Sequence, residues 1–563
     1  MNLIEQIQQL ADNTFEQLGY DLKFARITKS QREGFDFQCN GAMPLGKILG
    51  VPAFDLAEQI GYLLEKQEGI GSVLITGKGA SAFINIMVDD SLLEANLQPK
   101  STLAETTKKI MLDFGGPNVA KPLHVGHLRS LVIGESLRRI LLERGHTVLS
   151  DIHLGDWGLQ MGQLISQLQI EQPDLVYFNP GFVGAYPEDA PISLEQLELM
   201  YPKAALACKE DPVRMDLARQ ATAELQQGRK GFLALWKHFK QLSLNDQLLD
   251  VERLGAYFNF LLGESDVNDL VIYLAEQLAD EHVAIPSDGA LIIPVSKPED
   301  RKEVPPLILQ KSDGAATYGA TDLATIIQRR IHDLDEIIYV VDERQAQHFE
   351  QVFRAAELCE VPTKLTHVGF GTVNGPDGKP FKTRDGGTVK LKQLLADAVA
   401  QASVKISDPL LAEQVGLAAI KFGDLHTNRL SGYNFDLDKF LEFEGKTGPY
   451  LQYAGVRIKS ILSKLPEIQA TPIKFTSEYE HFLAVQCLGY DSALASAETD
   501  LMPSRIAEYA FELAQLFSRF YSNCPVLGEP PAIQYTRKCL IQLTFKRLEK
   551  CLHLLGIEVP ARM

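Results

Sequence analysis

The chain has 563 residues, of which 45% are hydrophobic and 23% charged, so it exceeds the roughly 250–300 residues at which one hydrophobic core stops growing. Several globular domains follow, and collagen-like, coiled-coil and disordered architectures are excluded. The formal net charge of −18 argues against passive adhesion to anionic membranes, and residues 441–563, with 13 Lys/Arg and 13 Asp/Glu, contribute none of it.

In chain order, residues 1–20 pattern as an amphipathic helix, and 71–89 as two strands joined by a Gly-containing turn. A small α+β unit over 1–105 results, closed by the polar stretch 97–109. KIMLDF (109–114) reads as a buried strand, GGPN (115–118) as a turn, 127–144 as a helix ending at Gly145, and 146–154 as a second strand. That β-α-β unit predicts a parallel sheet. The strand pattern resumes at 336–342 and 364–370 around a helix over 344–359, after a long, mostly helical insertion over about 166–300. An α/β domain over 106–405 is therefore expected, and an all-helical one over 406–563, with helices at 504–523 and 537–556. Arg537, Lys538, Lys546, Arg547, Lys550 and Arg562 form a late basic cluster that reads either as a phosphate-contacting surface or as a solvated helix face.

Seven cysteines without a CxxC pair fit reduced thiols better than a disulfide framework or a zinc ribbon. The first twenty residues carry Glu5 and several glutamines where a signal peptide needs an apolar run, and no apolar run approaches ~20 residues. A cytoplasmic location is expected.

The most informative segment is DFGGPNVAKPLHVGHLRS (113–130), at a strand-to-helix junction where unpaired N–H groups and the helix dipole favour phosphate. His124 and His127 share one side of the first turn, and Gly126 between them lets a flat base or a phosphate approach the backbone. Alone, the pair reads equally as two satisfied histidines at a helix start; zinc would need further ligands, and none stands nearby at ligand spacing.

This segment resembles the HIGH signature of class I aminoacyl-tRNA synthetases, and PNVAKPLHVGHLRS resembles its arginyl-tRNA synthetase form. GFDFQCNGAMPLGK (34–47), LGDWGLQMGQL (154–164), YGATDLA (318–324), YVVDERQAQHF (339–349), GKTGPYLQYAGVRIKSI (445–461) and LGIEVPARM (555–563) are similar to further blocks of that family, in its order. The resemblance implies a Rossmann-like parallel-sheet catalytic domain with a helical insertion, preceded by an α+β domain that contacts tRNA and followed by an all-helical anticodon-binding domain. It implies ATP-dependent activation of L-arginine and transfer to tRNA(Arg). Magnesium is expected to arrive with ATP, no structural metal is expected, and the chain is expected to act as a monomer.

By the same resemblance, His124, His127, Lys121, Lys382 and Arg384 carry catalysis, with Gly126 lining the ATP site. Lys121 stands in for a lysine missing from the second signature loop, PDGKPFKTRDGGTVKL (376–391). Asp113, Asn118, Tyr318, Asp322 and Gln345 are implied to bind arginine, whose five-donor guanidinium suits paired acids and hydrogen-bond acceptors. Read singly, Asp322 is as well a helix cap and Tyr318 a core residue. Tyr450, Tyr453 and Arg457 are implied to contact tRNA, stacking and neutralising as single-stranded RNA requires; core packing is the other reading of both tyrosines. The family also needs its RNA for amino acid activation. Two alternatives are a class I nucleotidyltransferase without tRNA, which leaves the neutral helical C-terminal part unexplained, and a non-catalytic tRNA-binding paralogue, which has no need of the histidines.

Overall fold

The computed structural model describes residues 2–97, 106–312, 315–375, 378, 379, 381 and 389–563. It divides the chain into two compact units, residues 104–441 and residues 1–103 with 442–563.

The larger unit is built on a parallel sheet. Strand β1 (Lys109–Phe114) is buried from Ile110 onward, as an apolar run covered on both faces should be. It leads through a turn to helix α1 (Val125–Glu143) and strand β2 (Thr147–Asp151). The insertion follows, with α2 (Leu194–Glu210) and α3 (Lys230–Arg253) packed with neighbouring helices around Met161, Leu164, Leu197, Phe232 and Phe239. Helix α4 (Tyr318–Gln328), strand β3 (Glu336–Asp342), helix α5 (Ala346–Leu358) and strand β4 (Lys364–Phe370) complete the second half.

The strand order is β4–β3–β1–β2, and Tyr339 on β3 lies opposite Asp113 on β1. The chain leaves β1 toward β2 on one side and returns to β3 on the other. The carboxyl ends of β1 and β3 therefore flank a switch point, where open α/β sheets bind their ligands.

Two features of this unit differ from the sequence reading. At the end of the mostly helical insertion, strands Ile285–Ser287 and Ala290–Ile293 form an antiparallel sheet with Leu307–Gln310, just beyond it; strands of three or four residues are too short to show a period. Residues 406–441, read with the C-terminal helices, belong to the larger unit. There Pro409–Leu425 buries Ala412, Val415, Ala419 and Phe422 and packs against Leu391–Lys405 and α1. Helical periodicity marks an apolar face but not the partner that covers it.

The second unit combines a four-stranded antiparallel sheet, ordered Ile27–Lys29, Phe37–Cys39, Ser81–Val88, Ile70–Lys78, with helices Leu3–Gln17, Ala42–Leu49 and Ala53–Leu64. Helices Gly448–Lys464, Glu478–Leu488, Ser504–Asn523 and Pro531–Leu554 are its main C-terminal elements. His481 joins the two parts: Nδ1 lies 2.6 Å from Asp90 Oδ1 and Nε2 3.0 Å from Asp36 Oδ2. The late basic cluster is not one surface. Arg537 is buried on Glu480 at 2.6 Å, and Arg547 is buried over the Tyr490 ring, so neither can meet phosphate. No disulfide joins any of the seven cysteines, and among the described residues no helix is long and apolar enough to cross a membrane.

Candidate active site

His124 is the N-cap of α1 and His127 its third residue. Nδ1 of His124 accepts the Gly126 N–H at 3.0 Å, and Nδ1 of His127 accepts the His124 N–H at 3.0 Å. With both Nδ1 atoms used as acceptors of the orphaned N–H groups at a helix start, the ring protons belong on the two Nε2 atoms. The ring centroids stand 3.9 Å apart. Burial, and then the charge of Lys121, lowers the His124 pKa. Burial, followed by the neighbouring charge of His124, takes His127 down to about 3. Both imidazoles are thus neutral donors. Gly126 is exposed, and a Cβ there would stand 2.8 Å from His124 Cε1, so a side chain would push the ring aside.

The turn before α1 brings Asn118 and Lys121 to the same edge of the sheet. Asn118 is bridged to Gly155, whose missing Cβ makes room for the Asn118 amide: a Cβ would lie 2.5 Å from Oδ1. Lys121 Nζ lies 4.8 Å from the centroid of the Tyr201 ring, which α2 of the insertion supplies. Lys382 and Arg384 lie outside the described residues. The segment that follows them is anchored on the histidine turn, because Val125 N–H donates to Val389 O at 3.1 Å and Leu391 N–H to Leu123 O at 2.8 Å.

Across the switch point stands an acidic group. Asp322 is the fifth residue of α4, whose cap is Thr317, so the helix-cap reading of Asp322 does not hold. Its Oδ2 lies 2.6 Å from His348 Nε2 on α5. Tyr318 is 61% exposed, which excludes the core reading. Gln345, also exposed, sits just beyond the carboxyl end of β3. Glu264 joins this group without having been read from the sequence. Burial raises its pKa to about 7, against the Trp157 N–H that it accepts and with help from the charges of Asp156 and Asp322.

Asp113 is placed differently from these neighbours. At the end of β1 its Oδ2 accepts from Arg329 Nη2 at 2.6 Å, and the same nitrogen reaches Asp151 Oδ2 at 2.7 Å. Arg329 Nη1 also donates to the Tyr339 hydroxyl at 3.1 Å. Asp113, Asp151 and His153 have the composition of a metal group, yet the buried guanidinium already supplies their cation, so the cluster does not fit a divalent ion. A second buried arginine missed by the sequence reading, Arg129 on α1, donates to the carbonyls of Gly371 at 2.8 Å and Ser431 at 3.0 Å. It ties the histidine helix to the segment that follows β4. Spacing could not reveal either arginine, because the carboxylates that hold Arg329 and the carbonyls that hold Arg129 lie far away in sequence.

In the other unit, Tyr450, Tyr453 and Arg457 lie along the helix Gly448–Lys464. Tyr453 is 46% exposed, which excludes the core reading for that residue, and Arg457 is exposed over the Tyr521 ring at 4.9 Å. Tyr450 packs edge-on against Phe511 at 5.8 Å.

Three family models match the chain in order: the arginyl tRNA synthetase N terminal domain over residues 1–88, tRNA synthetases class I (R), catalytic domain, over 87–437, and the DALR anticodon binding domain over 451–563. Arginine–tRNA ligase of Maricaulis maris is 44% identical over the whole of both chains, and that of Francisella tularensis subsp. novicida 41%. In fold, the chain is similar to arginyl-tRNA synthetase of Plasmodium falciparum (TM-score 0.82, 24% identity, 100% of this chain and 99% of the other). It is also similar to that of Thermus thermophilus (TM-score 0.80, 23% identity, 100% of each). With all three regions matched along its full length, the chain belongs to the arginyl-tRNA synthetase family of class I aminoacyl-tRNA synthetases.

Proposed function

We infer that the chain is an arginine–tRNA ligase. It forms arginyl-adenylate and pyrophosphate from L-arginine and ATP, then moves arginine to the 3′-terminal adenosine of tRNA(Arg). The observation that carries this reading is the pairing at one switch point of two neutral Nε2–H donors with the acidic group Asp322 and Glu264.

The guanidinium of arginine enters among Asp322, Glu264 and Tyr318, with Asn118 and Gln345 completing the pocket. Asp113 shapes its floor through Arg329 more than it meets the substrate, since its Oδ2 is already taken. An oxygen of the arginine carboxylate attacks the α-phosphorus of ATP, a P–O bond forms, and pyrophosphate leaves with the electron pair of the bond that breaks. Negative charge gathers on phosphoryl oxygens, where donors fixed beforehand are most effective. His124 and His127 supply such donors and Lys121 the positive charge; Lys382 and Arg384 are proposed to add to it. Magnesium, carried by ATP and not by residues of the chain, would add positive charge at the phosphates. A hydroxyl of the terminal ribose then attacks the activated carbonyl, and AMP leaves.

Tyr450, Tyr453 and Arg457 are proposed to meet the anticodon side of the tRNA, and the domain formed by the first 105 residues its outer corner. A monomer acting in the cytoplasm belongs to the same reading. A non-catalytic paralogue is disfavoured by the histidine pair and Lys121 being in place. The test is ATP–pyrophosphate exchange with tRNA(Arg) present. Exchange dependent on arginine and absent with lysine supports the reading; exchange indifferent to the amino acid overturns it.

A further inference from the structure

The turn Asn118–Lys121 carries two of the residues placed against substrate, yet its own backbone conformation is an unfavourable one. Ala120 stands at φ 65°, in the left-handed region that a residue with a Cβ holds only when its surroundings impose it. Two side chains of the insertion helix α3 impose it here. Ser243 Oγ accepts the Ala120 N–H at 2.9 Å and donates its own proton to Phe239 O at 2.7 Å. Gln247 Nε2 donates to the carbonyl oxygens of both Asn118, at 2.9 Å, and Lys121, at 2.8 Å.

Ser243 and Gln247 are 3% and 2% exposed, and their four-residue spacing puts them on one helix face. Gln247 Oε1 is buried without a hydrogen-bond partner among the described residues. An orphaned acceptor weakens the fold, so the role of Gln247 lies in the two bonds that it donates. Tyr201 of the same insertion meets the head of Lys121. The insertion thus grips the turn at the Asn118 and Lys121 carbonyls, at the Ala120 amide and at the Lys121 ammonium.

We propose that Gln247, assisted by Ser243, is a positioning residue for adenylate formation, which sets Asn118 and Lys121 in one geometry and makes the helical insertion part of the catalytic apparatus. This rests on the reading of Asn118 and Lys121 as substrate contacts. Misplacing a reacting group by about 1 Å costs up to about 10²-fold in rate.

The test is a double-mutant cycle on exchange kinetics with tRNA(Arg) present, using Gln247→Met, which has similar length and no donor. Gln247→Met alone is expected to lower kcat about 10–10²-fold and to raise the arginine KM through Asn118. In a Lys121→Ala background the same change should lower kcat less than about twofold, because groups acting as a unit are not additive. An equal loss in both backgrounds overturns the proposal, as does a wild-type kcat for Gln247→Met. Wild-type kcat for Lys121→Ala alone overturns the reading of Lys121 and takes the proposal with it. Should Gln247→Met fail to fold, Ser243→Ala, which removes only the acceptor for Ala120, must show the same coupling to Lys121 at smaller amplitude, and full additivity there overturns the proposal equally.

Discussion

His127 Nδ1 accepts the backbone N–H of His124 at 3.0 Å, so one signature histidine caps the helix end at which the other stands. Because His124 spends its own Nδ1 on Gly126, neither ring can turn over without releasing an N–H group of the first turn. The capping bonds thereby fix both Nε2–H groups as outward donors.

Replacing either histidine by alanine is expected to slow arginyl-adenylate formation about 10²–10³-fold, the usual effect of removing one preorganised donor. tRNA affinity should change little. Single-turnover activation in the presence of tRNA measures this, and an unchanged rate would remove the histidines from the mechanism. The pH profile is the sharper criterion. With the His127 pKa at about 3, no acid limb near pH 6.5 should arise from this residue. Its folded pKa is depressed, so its contribution to stability is full above about 6.5 and is lost as pH falls through 3.

Asp322→Asn should raise the arginine KM and spare ATP binding. The carboxylate is only partly exposed and hydrogen-bonded to His348, so its loss sits near the low end for a charge pair with a guanidinium, about 2 kcal/mol or roughly 30-fold. Steady-state kinetics in both substrates decide this; an arginine KM that does not move means that the pocket is assigned wrongly.

Glu264 predicts proton-linked arginine binding. Its carboxyl, raised to about 7 by burial, is partly protonated in the free enzyme, and an incoming guanidinium favours the charged form. Binding should therefore release a proton near pH 7, and affinity should rise between pH 6 and 8. Glu264→Gln should flatten that dependence. Titration calorimetry in buffers of different ionisation enthalpy reads the proton directly, and equal heats in all buffers would place Glu264 away from the substrate.

His481 predicts a pH dependence of stability in the unit formed by residues 1–103 and 442–563. Burial alone would lower its pKa, but the carboxylates of Asp36 and Asp90 outweigh burial and raise it. The stabilising contribution is then present below 6.5 and is lost as pH rises through the raised value. His481→Ala leaves buried Asp36 without its cation and should cost about 3 kcal/mol at pH 6, with a smaller difference at pH 9. Urea unfolding at the two pH values tests this; an equal loss at both would mean that the imidazole is uncharged.

How far sequence reached follows from the kind of signal each element leaves. Strand β1 and helix α1 were legible because a buried apolar run and a glycine-flanked histidine pair are local patterns, and β3 and β4 followed from the same parallel-sheet signature. The three-residue strands at 27–29 and 37–39 left no period to read. The histidines, Lys121 and Asp322 could be proposed through motif resemblance. Glu264, His348, Arg329 and Gln247 could not, since each meets its partner only where the fold brings the two together. Nor could sequence show that Arg537 and Arg547 turn inward: a basic residue buried on Glu480 reads the same as one facing RNA.

Charging of tRNA(Arg) with radiolabelled arginine by the purified protein tests arginine–tRNA ligase activity most directly. The expected product is acid-precipitable arginyl-tRNA that requires ATP, falls about 10²-fold or more with His124→Ala, and does not form with lysine. An ATP-replete reaction in which the wild-type protein leaves tRNA(Arg) uncharged would contradict that activity.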